Sequence, residues 1–171
     1  DDGLASALYA GNVRFAVTGT DYLAHSDPSP FQHYWSLGVE EQFYLLWPAL
    51  LLVTGLLWGH RRRRRQPPAA PYVLLLAAVF AASFALSVSW THSWPSWAFF
   101  SLPTRAWELA AGGLLALSAP LWRRLPAGFA AIAGFGGLAV IGWAATHIDD
   151  RTPYPGTAAT LPVIGTVLVI A

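Results

Sequence analysis

The sequence contains no cysteine and few charged residues, and both absences narrow its function. Without cysteine, disulfides, thiol nucleophiles and thiolate metal sites are excluded within this chain. Charged residues make up 11% of the sequence, against about 25% in ordinary soluble domains. Hydrophobic residues make up 55%, and the mean hydropathy is +0.45. This composition excludes a soluble globular domain, because too few polar groups remain to cover a water-exposed surface.

Long apolar runs are the main pattern in the chain. A helix needs roughly 20 apolar residues to cross a bilayer, and there its backbone finds no water to bond. Runs of this kind are Ser36 to Gly59, Pro71 to Trp90, Thr104 to Trp122 and Ala127 to Thr146, with a fifth beginning near Thr157. Buried helices of a large soluble protein are the alternative, but the polar sequence between the runs is too short to cover them. We predict an all-α, polytopic transmembrane helix bundle over residues 36–171, with about five spans.

Arginines in the short connections predict how the bundle is oriented. Arg61 to Arg65 lie between the first two spans, and Arg123 and Arg124 lie between the third and fourth. Arginine-rich short loops stay on the cytoplasmic side, and two separate loops agree. Residues 1–35 then form an extracytoplasmic segment, in which Leu4 to Val17 are expected to form a helix on the membrane surface. An arginine run also occurs in nucleic-acid patches, but its place between two spans favours topology, and we expect no nucleic-acid partner.

Four ionisable residues fall inside the predicted spans, all near the extracytoplasmic face. Glu40 and Glu41 open the first span, and Arg105 and Glu108 open the third. Such groups are costly at membrane depth and usually face a bundle interior or a wet cavity, which makes them candidates for function. A structural explanation is also open, because acids in a first turn complement the helix dipole and an arginine three residues from a glutamate can neutralise it. His33 lies just before the first span and can join the group.

Local spacing adds detail to the spans. Glu40 and Tyr44 share one helical stripe, whereas Glu41 points about 100° away. Ser36 is expected to cap the first span, and Pro48 to kink it. Small residues four apart predict close helix contacts in later spans: Gly112 with Ala116, and Ala133 with Gly137. No spacing of histidine and carboxylate residues matches a metal motif, so no metal is expected.

The stretch HYWSLGVEEQFYLLWP, from His33 to Pro48, resembles the signature of the membrane-bound acyltransferase 3 family. Further segments of the chain are similar to the family in the expected order: Gly19 to Tyr22, Asp27 to Pro30, Pro103 to Leu109 followed by Gly112 and Gly113, and Leu161 to Gly165. The resemblance covers nearly the whole chain. It is closest to the subgroup that carries an extracytoplasmic SGNH-type domain after the membrane part.

The resemblance implies a multi-pass enzyme of the bacterial cytoplasmic (inner) membrane. Such an enzyme moves an acyl group, often acetyl, from a coenzyme A thioester to a hydroxyl of an envelope carbohydrate or glycoconjugate. The implied partners are the lipid bilayer, a carbohydrate acceptor and a C-terminal SGNH domain outside these residues, with acyl-coenzyme A as donor and no permanently bound cofactor. The family places an arginine and a histidine in its first membrane helix. Because the chain starts at Asp1 and stops within an apolar run, we expect a segment truncated at both ends that begins after that helix.

Ester formation needs a base for the acceptor proton and donors that stabilise developing charge. The residues predicted to act in catalysis are His33, Glu40 and Arg105, with Glu41 and Glu108 in support. The rings predicted to stack on a sugar are those of Trp35, Tyr44 and Trp107. No residue is assigned to coenzyme binding.

A non-catalytic membrane transporter or assembly subunit for lipid-linked glycans is the alternative. Charged residues at the start of two spans are also typical of a translocation path, and cytoplasmic arginines also bind anionic lipid. Neither alternative accounts for the long stretch from His33 to Pro48.

Overall fold

The computed structural model describes residues 1–22, 29–59 and 69–171. These residues form helices joined by short connections, and no strand occurs among them. The helices are α1 (Asp2–Ala7), α2 (Gly11–Val17), α3 (Trp35–Gly59), α4 (Ala70–Ser93), α5 (Pro95–Phe100), α6 (Leu102–Trp122), α7 (Ala127–His147) and α8 (Thr160–Ile170), with a 3₁₀ turn at Gln32–Tyr34 before α3. The Arg61 to Arg65 loop and part of the Asp27 to Pro30 motif lie outside the described residues.

The predicted helical membrane bundle is confirmed. Three stretches of the described chain are long and apolar enough to cross a membrane: Gln32–Trp58, Ala70–Ser93 and Ala127–His147. α6 has 21 residues but carries Arg105 and Glu108, and α8 includes 11 residues of the given sequence. The bounds of α4, α6 and α7 agree closely with the apolar runs, because length and apolarity alone decide where such helices form.

The helices pack as antiparallel pairs. α4 lies mainly against α6, and α7 lies mainly against α8. Trp107 of α6 is 1% exposed, and its backbone N–H donates to the Ser83 hydroxyl of α4 at 2.9 Å. α7 and α8 cross closely at Gly137 and Gly165, where a Cβ added to Gly137 would lie 2.5 Å from the Gly165 carbonyl oxygen. Small residues at such a crossing let two backbones approach in an apolar medium.

Several local expectations were wrong. The single surface helix from Leu4 to Val17 is two helices, since the chain turns at 8–10 and Tyr9 has a φ of 54°. Ser36 does not cap α3, because the preceding 3₁₀ turn runs directly into the helix and the Ser36 hydroxyl donates to the His33 carbonyl at 3.5 Å. Gly112 makes no close helix contact, since a Cβ added there would meet open space.

A buried amide pair ties the N-terminal segment to the bundle. The Asn12 amide, 1% exposed, donates to Gln42 Oε1 and to the Phe100 carbonyl, each at 3.2 Å. Gln42 Nε2 donates in return to Asn12 Oδ1 at 3.0 Å. Gly38 lies under this pair, because an added Cβ would come within 2.8 Å of Asn12 Oδ1. These bonds join α2, α3 and α5 at one end of the bundle.

The α7–α8 crossing gives a test of the packing. We expect Gly137→Ala to destabilise the protein by about 1–3 kcal/mol, because the new methyl group overpacks a backbone contact. Gly136→Ala is the matched control, since an added Cβ there meets nothing within 4 Å and alanine is the better helix former. Thermal unfolding of the purified full-length protein in detergent measures both. Equal midpoints for the two variants would contradict the crossing.

Candidate functional site

Arg105 is held by aromatic rings at the end of the bundle where α3 and α6 begin. Its guanidinium carbon lies 5.5 Å from the ring centre of Trp35, 5.7 Å from that of Phe99 and 5.6 Å from that of Tyr154. These rings come from α3, from α5 and from the connection between α7 and α8. A cation over aromatic faces within about 6 Å is attracted by their quadrupoles, and more strongly when water is excluded. We call these three rings the aromatic cage.

Glu108 supplies the counter-charge. Arg105 Nε lies 2.9 Å from Glu108 Oε1, and the two side chains are 14% and 22% exposed. The predicted pairing across one helical turn is therefore present. Among the described residues, Arg105 Nη1 is buried and finds no hydrogen-bond partner. Because buried donors are normally satisfied, this N–H group is able to bind a further oxygen.

Glu40 shares a small cavity with this ion pair. The cavity is about 120 Å³ and is lined by Trp35, Glu40, Arg105 and Glu108, among others. Glu40 lies in the second turn of α3 and is an exposed residue. The structure thus brings together a carboxylate, a guanidinium and an aromatic ring from two helices whose starts are about 70 residues apart in the sequence.

Two further cavities border the pair. One, of about 370 Å³, is lined by Arg105 together with Tyr22, the aromatic cage and apolar residues of α7. The other, of about 280 Å³, lies between α6 and α8 and includes Glu108. The ion pair therefore stands where three cavities meet. We call them together the Arg105 cavities.

Three other predicted site residues, His33, Glu41 and Tyr44, lie outside the Arg105 cavities. His33 is exposed in the 3₁₀ turn, and its ring contacts the edge of Tyr22 at 6.4 Å between centres. Glu41 is exposed on α3, and Tyr44 is 61% exposed. Trp35 is the one ring of the three predicted sugar platforms that lines the cavity with Glu40.

The stacking role predicted for Trp107 is incompatible with its packing. The ring is enclosed edge to face by Phe80 and Phe84, at centroid distances of 5.7 and 5.1 Å, and it is 1% exposed. Almost none of its surface is left for a sugar. Trp107 instead joins α4 to α6, because its large apolar ring fills the space between these helices.

Three rings near Arg105 were missed by the sequence analysis. They are Tyr22, which stacks on Phe99 with centres 4.9 Å apart, Phe99 itself, and Tyr154. All three lie in short connections or in the short helix α5. Their proximity depends on how distant segments pack, which no local spacing records.

The connection at 149–152 is braced by its own side chains. Thr152 Oγ1 donates to Asp149 Oδ1 at 2.9 Å, and the Arg151 backbone N–H donates to the same oxygen at 3.1 Å. The Thr152 hydrogen bond is the main cause of a lowered pKa for the Asp149 carboxyl. The stability that the ionised Asp149 carboxylate contributes is therefore present at neutral pH. It is lost only as the pH falls through the lowered pKa.

Comparisons with known proteins identify relatives. The sequence model of a family described as "Acyltransferase domain" matches residues 3–171. The chain is 33% identical over 126 residues to the peptidoglycan O-acetyltransferase OatA of Listeria monocytogenes, covering 73% of this chain and 19% of that protein. It is 33% identical over 131 residues to the "putative peptidoglycan O-acetyltransferase YrhL" of Bacillus subtilis, covering 73% and 20%. The O-acetyltransferase OatA of Staphylococcus aureus is 29% identical over 119 residues, covering 70% and 19%.

The chain thus spans about a fifth of the length of the curated relatives it matches. No solved structure matches it. Among the residues described, no group of three histidine or carboxylate side chains is arranged to hold a metal ion.

The ion pair yields a stability test. A fully buried pair costs about 3–5 kcal/mol when one partner is removed, and Glu108→Gln should cost somewhat less because both side chains keep some exposure. Arg105→Gln should lower the stability by a similar amount. The double variant should lose less stability than the two single losses added together.

The control for that cycle is Asp2→Asn. Asp2 pairs with Arg14 at 3.2 Å, but these side chains are 33% and 40% exposed, so the loss of stability should be much smaller than at the Arg105–Glu108 pair. Unfolding midpoints of the full-length protein give all four values. Strictly additive losses at Arg105 and Glu108 would show that the two charges do not stabilise each other.

Proposed function

The chain belongs to the acyltransferase 3 family, and we propose that it forms part of a membrane enzyme that acylates hydroxyl groups of an envelope carbohydrate. The relatives are named for O-acetylation, two of them for O-acetylation of peptidoglycan. The proposed donor is a coenzyme A thioester, and acetyl is the proposed acyl group. The observation that carries the proposal is the shared cavity of Glu40, Arg105 and Glu108.

The proposed reaction is a direct exchange of a thioester for an ester. The acceptor oxygen attacks the carbonyl carbon, its proton passes to a base, and the C–S bond breaks to release the coenzyme thiol, which carries the proton away. Such a step gains most from a positioned base and from donors aimed at the developing charge.

Residues of this chain are assigned to the acceptor end of that step. Glu40 takes the hydroxyl proton, and Arg105 Nη1 donates a hydrogen bond to an oxygen of the acceptor or of the developing oxyanion. Glu108 and the aromatic cage keep the guanidinium in place, which avoids reorganisation during the reaction. His33, which lies outside the Arg105 cavities, has no part in this step.

The assignment also depends on topology. We infer that residues 1–35 and the connections at 94–101 and 148–159 face outward, because Arg123 and Arg124 and the Arg61 to Arg65 loop fall on the opposite side. The protein would then lie in the bacterial cytoplasmic membrane, with coenzyme A inside and the glycan outside. Direct transfer then requires the thioester end of acyl-coenzyme A to reach through the bundle, so that its carbonyl carbon meets the acceptor hydroxyl at the Arg105 cavities. An SGNH-type domain outside these residues is proposed to follow on the outer side.

Glu40 is tested against its own neighbour. In the full-length enzyme, Glu40→Gln should lower acyl transfer about a hundredfold or more, the range expected for a general base. Glu41→Gln is the matched control, because that carboxylate is exposed and lies outside the Arg105 cavities. Alkali-labile acetate released from the envelope glycan measures activity at equal membrane abundance. Full activity of Glu40→Gln would remove Glu40 from the mechanism.

Labelling of introduced cysteines tests the topology. The chain has no cysteine of its own. Once any cysteine elsewhere in the protein is replaced, the single substitutions Asp150→Cys and Arg63→Cys each report the side of the membrane on which that position lies. A membrane-impermeant maleimide should label Asp150→Cys in intact protoplasts, and Arg63→Cys only after lysis. Labelling of both positions from the same side would contradict the proposed arrangement.

A further inference from the structure

One of the Arg105 cavities differs from the other two in its charge. It is the cavity of about 370 Å³ that borders α7, and we call it the α7 cavity. Of the described residues that line it, Arg105 is the only one with a charged side chain. The cavity between α6 and α8 contains Glu108, and the smallest cavity contains both Glu40 and Glu108. The α7 cavity therefore offers a cation without a carboxylate in its wall.

The wall that α7 contributes is apolar, with small residues in its middle. Ile141, Ala144, Ala145 and Ile148 line the cavity. They lie at positions i, i+3, i+4 and i+7, which share one face of a helix. The alanines at the middle of this face leave space that larger side chains would fill. The size of the cavity therefore depends on the small residues of α7.

This wall is fixed by helix packing before any ligand binds. α8 packs against Ile141, because a Cβ added to Gly165 would lie 2.7 Å from Ile141 Cγ1. Ala144 is 2% exposed, and its carbonyl accepts a hydrogen bond from the Ile148 backbone N–H at 2.9 Å. A pre-organised wall loses little entropy on binding. The cavity therefore suits a ligand that gains little from each single contact, such as an aliphatic chain.

The polar and apolar parts of the α7 cavity together define the class of ligand. The Arg105 guanidinium donates hydrogen bonds and accepts none, and among the described residues its Nη1 has no partner. A carbonyl oxygen is an acceptor for such a group, and it gains negative charge when the carbonyl carbon is attacked. The apolar wall of Ile141 and Ala145 favours an aliphatic chain. A sugar in the same place would leave hydroxyl groups without partners against this wall.

The size of the α7 cavity indicates a chain longer than acetyl. A volume of about 370 Å³ lies within the range of about 300–1,000 Å³ typical of small-molecule sites. Acetyl, the acyl group proposed above, is among the smallest and would leave most of this space empty. Empty apolar space gives up dispersion contacts that a longer chain would make. Each buried methylene group is worth roughly a fourfold gain in binding.

The α7 cavity adjoins the place where the acceptor proton is removed. Trp35 and Arg105 line both this cavity and the smaller cavity that contains Glu40. A carbonyl group bound at Arg105 therefore borders both spaces. Its chain can lie along α7 while the acceptor hydroxyl approaches from the cavity of Glu40.

We propose that the α7 cavity is the acyl pocket of the enzyme and that it accepts acyl chains longer than acetyl. The chain stays against α7 while its carbonyl carbon forms a bond to the acceptor oxygen and the C–S bond breaks. The acceptor proton passes through Glu40 to the departing thiol, as in the reaction proposed above. This inference rests on the proposed acyltransferase function and adds the range of acyl groups that the enzyme transfers. Ala145 and Ile148 are the specificity-determining positions.

The test compares donors of different chain length. The purified full-length enzyme in detergent, where both of its faces are accessible, receives de-esterified glycan strands from a strain lacking the gene. Acetyl-, propionyl-, butyryl- and hexanoyl-coenzyme A are supplied together in equal amounts. Mass spectrometry of the acids released by alkali then gives the ratio of kcat/KM values for each pair of donors. In the wild type, we expect kcat/KM to rise roughly fourfold for each methylene group until the chain fills the cavity.

Two substitutions should move this chain-length preference in opposite directions. Ala145→Phe fills the cavity and should lower the ratio of butyryl to acetyl transfer at least tenfold. Ile148→Ala widens the cavity and should raise the ratio of hexanoyl to butyryl transfer severalfold, and it remains informative if Ala145→Phe does not fold. Ala139→Phe is the matched control, because Ala139 and Ala145 are both exposed residues of α7 but Ala139 does not line the cavity. Its ratios should equal those of the wild type.

The outcomes separate the acyl pocket from the proposed function. Opposite shifts in the two variants, with wild-type ratios in the control, support the pocket. Unchanged ratios in variants that unfold at the wild-type midpoint overturn it, and so does a wild type that transfers acetyl alone. A raised acceptor KM without a changed ratio also overturns it, because the cavity would then hold the acceptor. Acyl transfer is observed in all of these cases, whereas its absence from every donor in the wild type would overturn the proposed function itself.

Discussion

A guanidinium in apolar surroundings is costly unless its charge is matched, and this constraint organises the end of the bundle where α3 and α6 begin. Arg105 meets it with a carboxylate one turn along its own helix and with three rings from other segments. Those rings require α3, α5 and the α7–α8 connection to converge on the start of α6. The same convergence creates the Arg105 cavities, so the packing that tolerates the charge also forms the candidate site.

Much of the fold follows from local sequence. Apolar runs place α4, α6 and α7 to within a few residues, because a helix in lipid must satisfy its own backbone over a fixed length. The candidate site is predictable to the extent that its charge is local: Glu40, Arg105 and Glu108 are recognisable as rare ionisable residues in apolar runs. Their meeting in one cavity depends on α3 and α6 being neighbours. The sequence indicates only how far along its span each charged residue lies.

What escaped prediction is set by long-range packing. Tyr154 and Phe99 belong to no periodic pattern. Their role in the site comes from their contact with Arg105, which lies on another helix. Trp107 shows the opposite error: its place in a motif beside Arg105 and Glu108 favoured a binding role, whereas its ring points into the α4 interface. Adjacent residues on a helix face different neighbours, so membership of a motif does not assign a side chain to the site. The break at Tyr9 lies beside the Asn12 and Gln42 contact, since Gln42 Nε2 donates to the Tyr9 carbonyl at 3.4 Å.

The exposure of α3 has a consequence for how this protein diverges. Leu45 and Leu52 are 78% and 64% exposed within this chain, and apolar surroundings, whether lipid or other apolar helices, accept one aliphatic side chain almost as well as another of similar volume. The residues at those positions should exchange almost freely among leucine, isoleucine, valine and phenylalanine. The stretch from His33 to Gln42 is different, because Asn12 and the guanidinium of Arg105 constrain it from two sides. Over long evolutionary times the sequence at the start of α3 should stay similar among homologues, whereas the sequence of the span that follows should diverge.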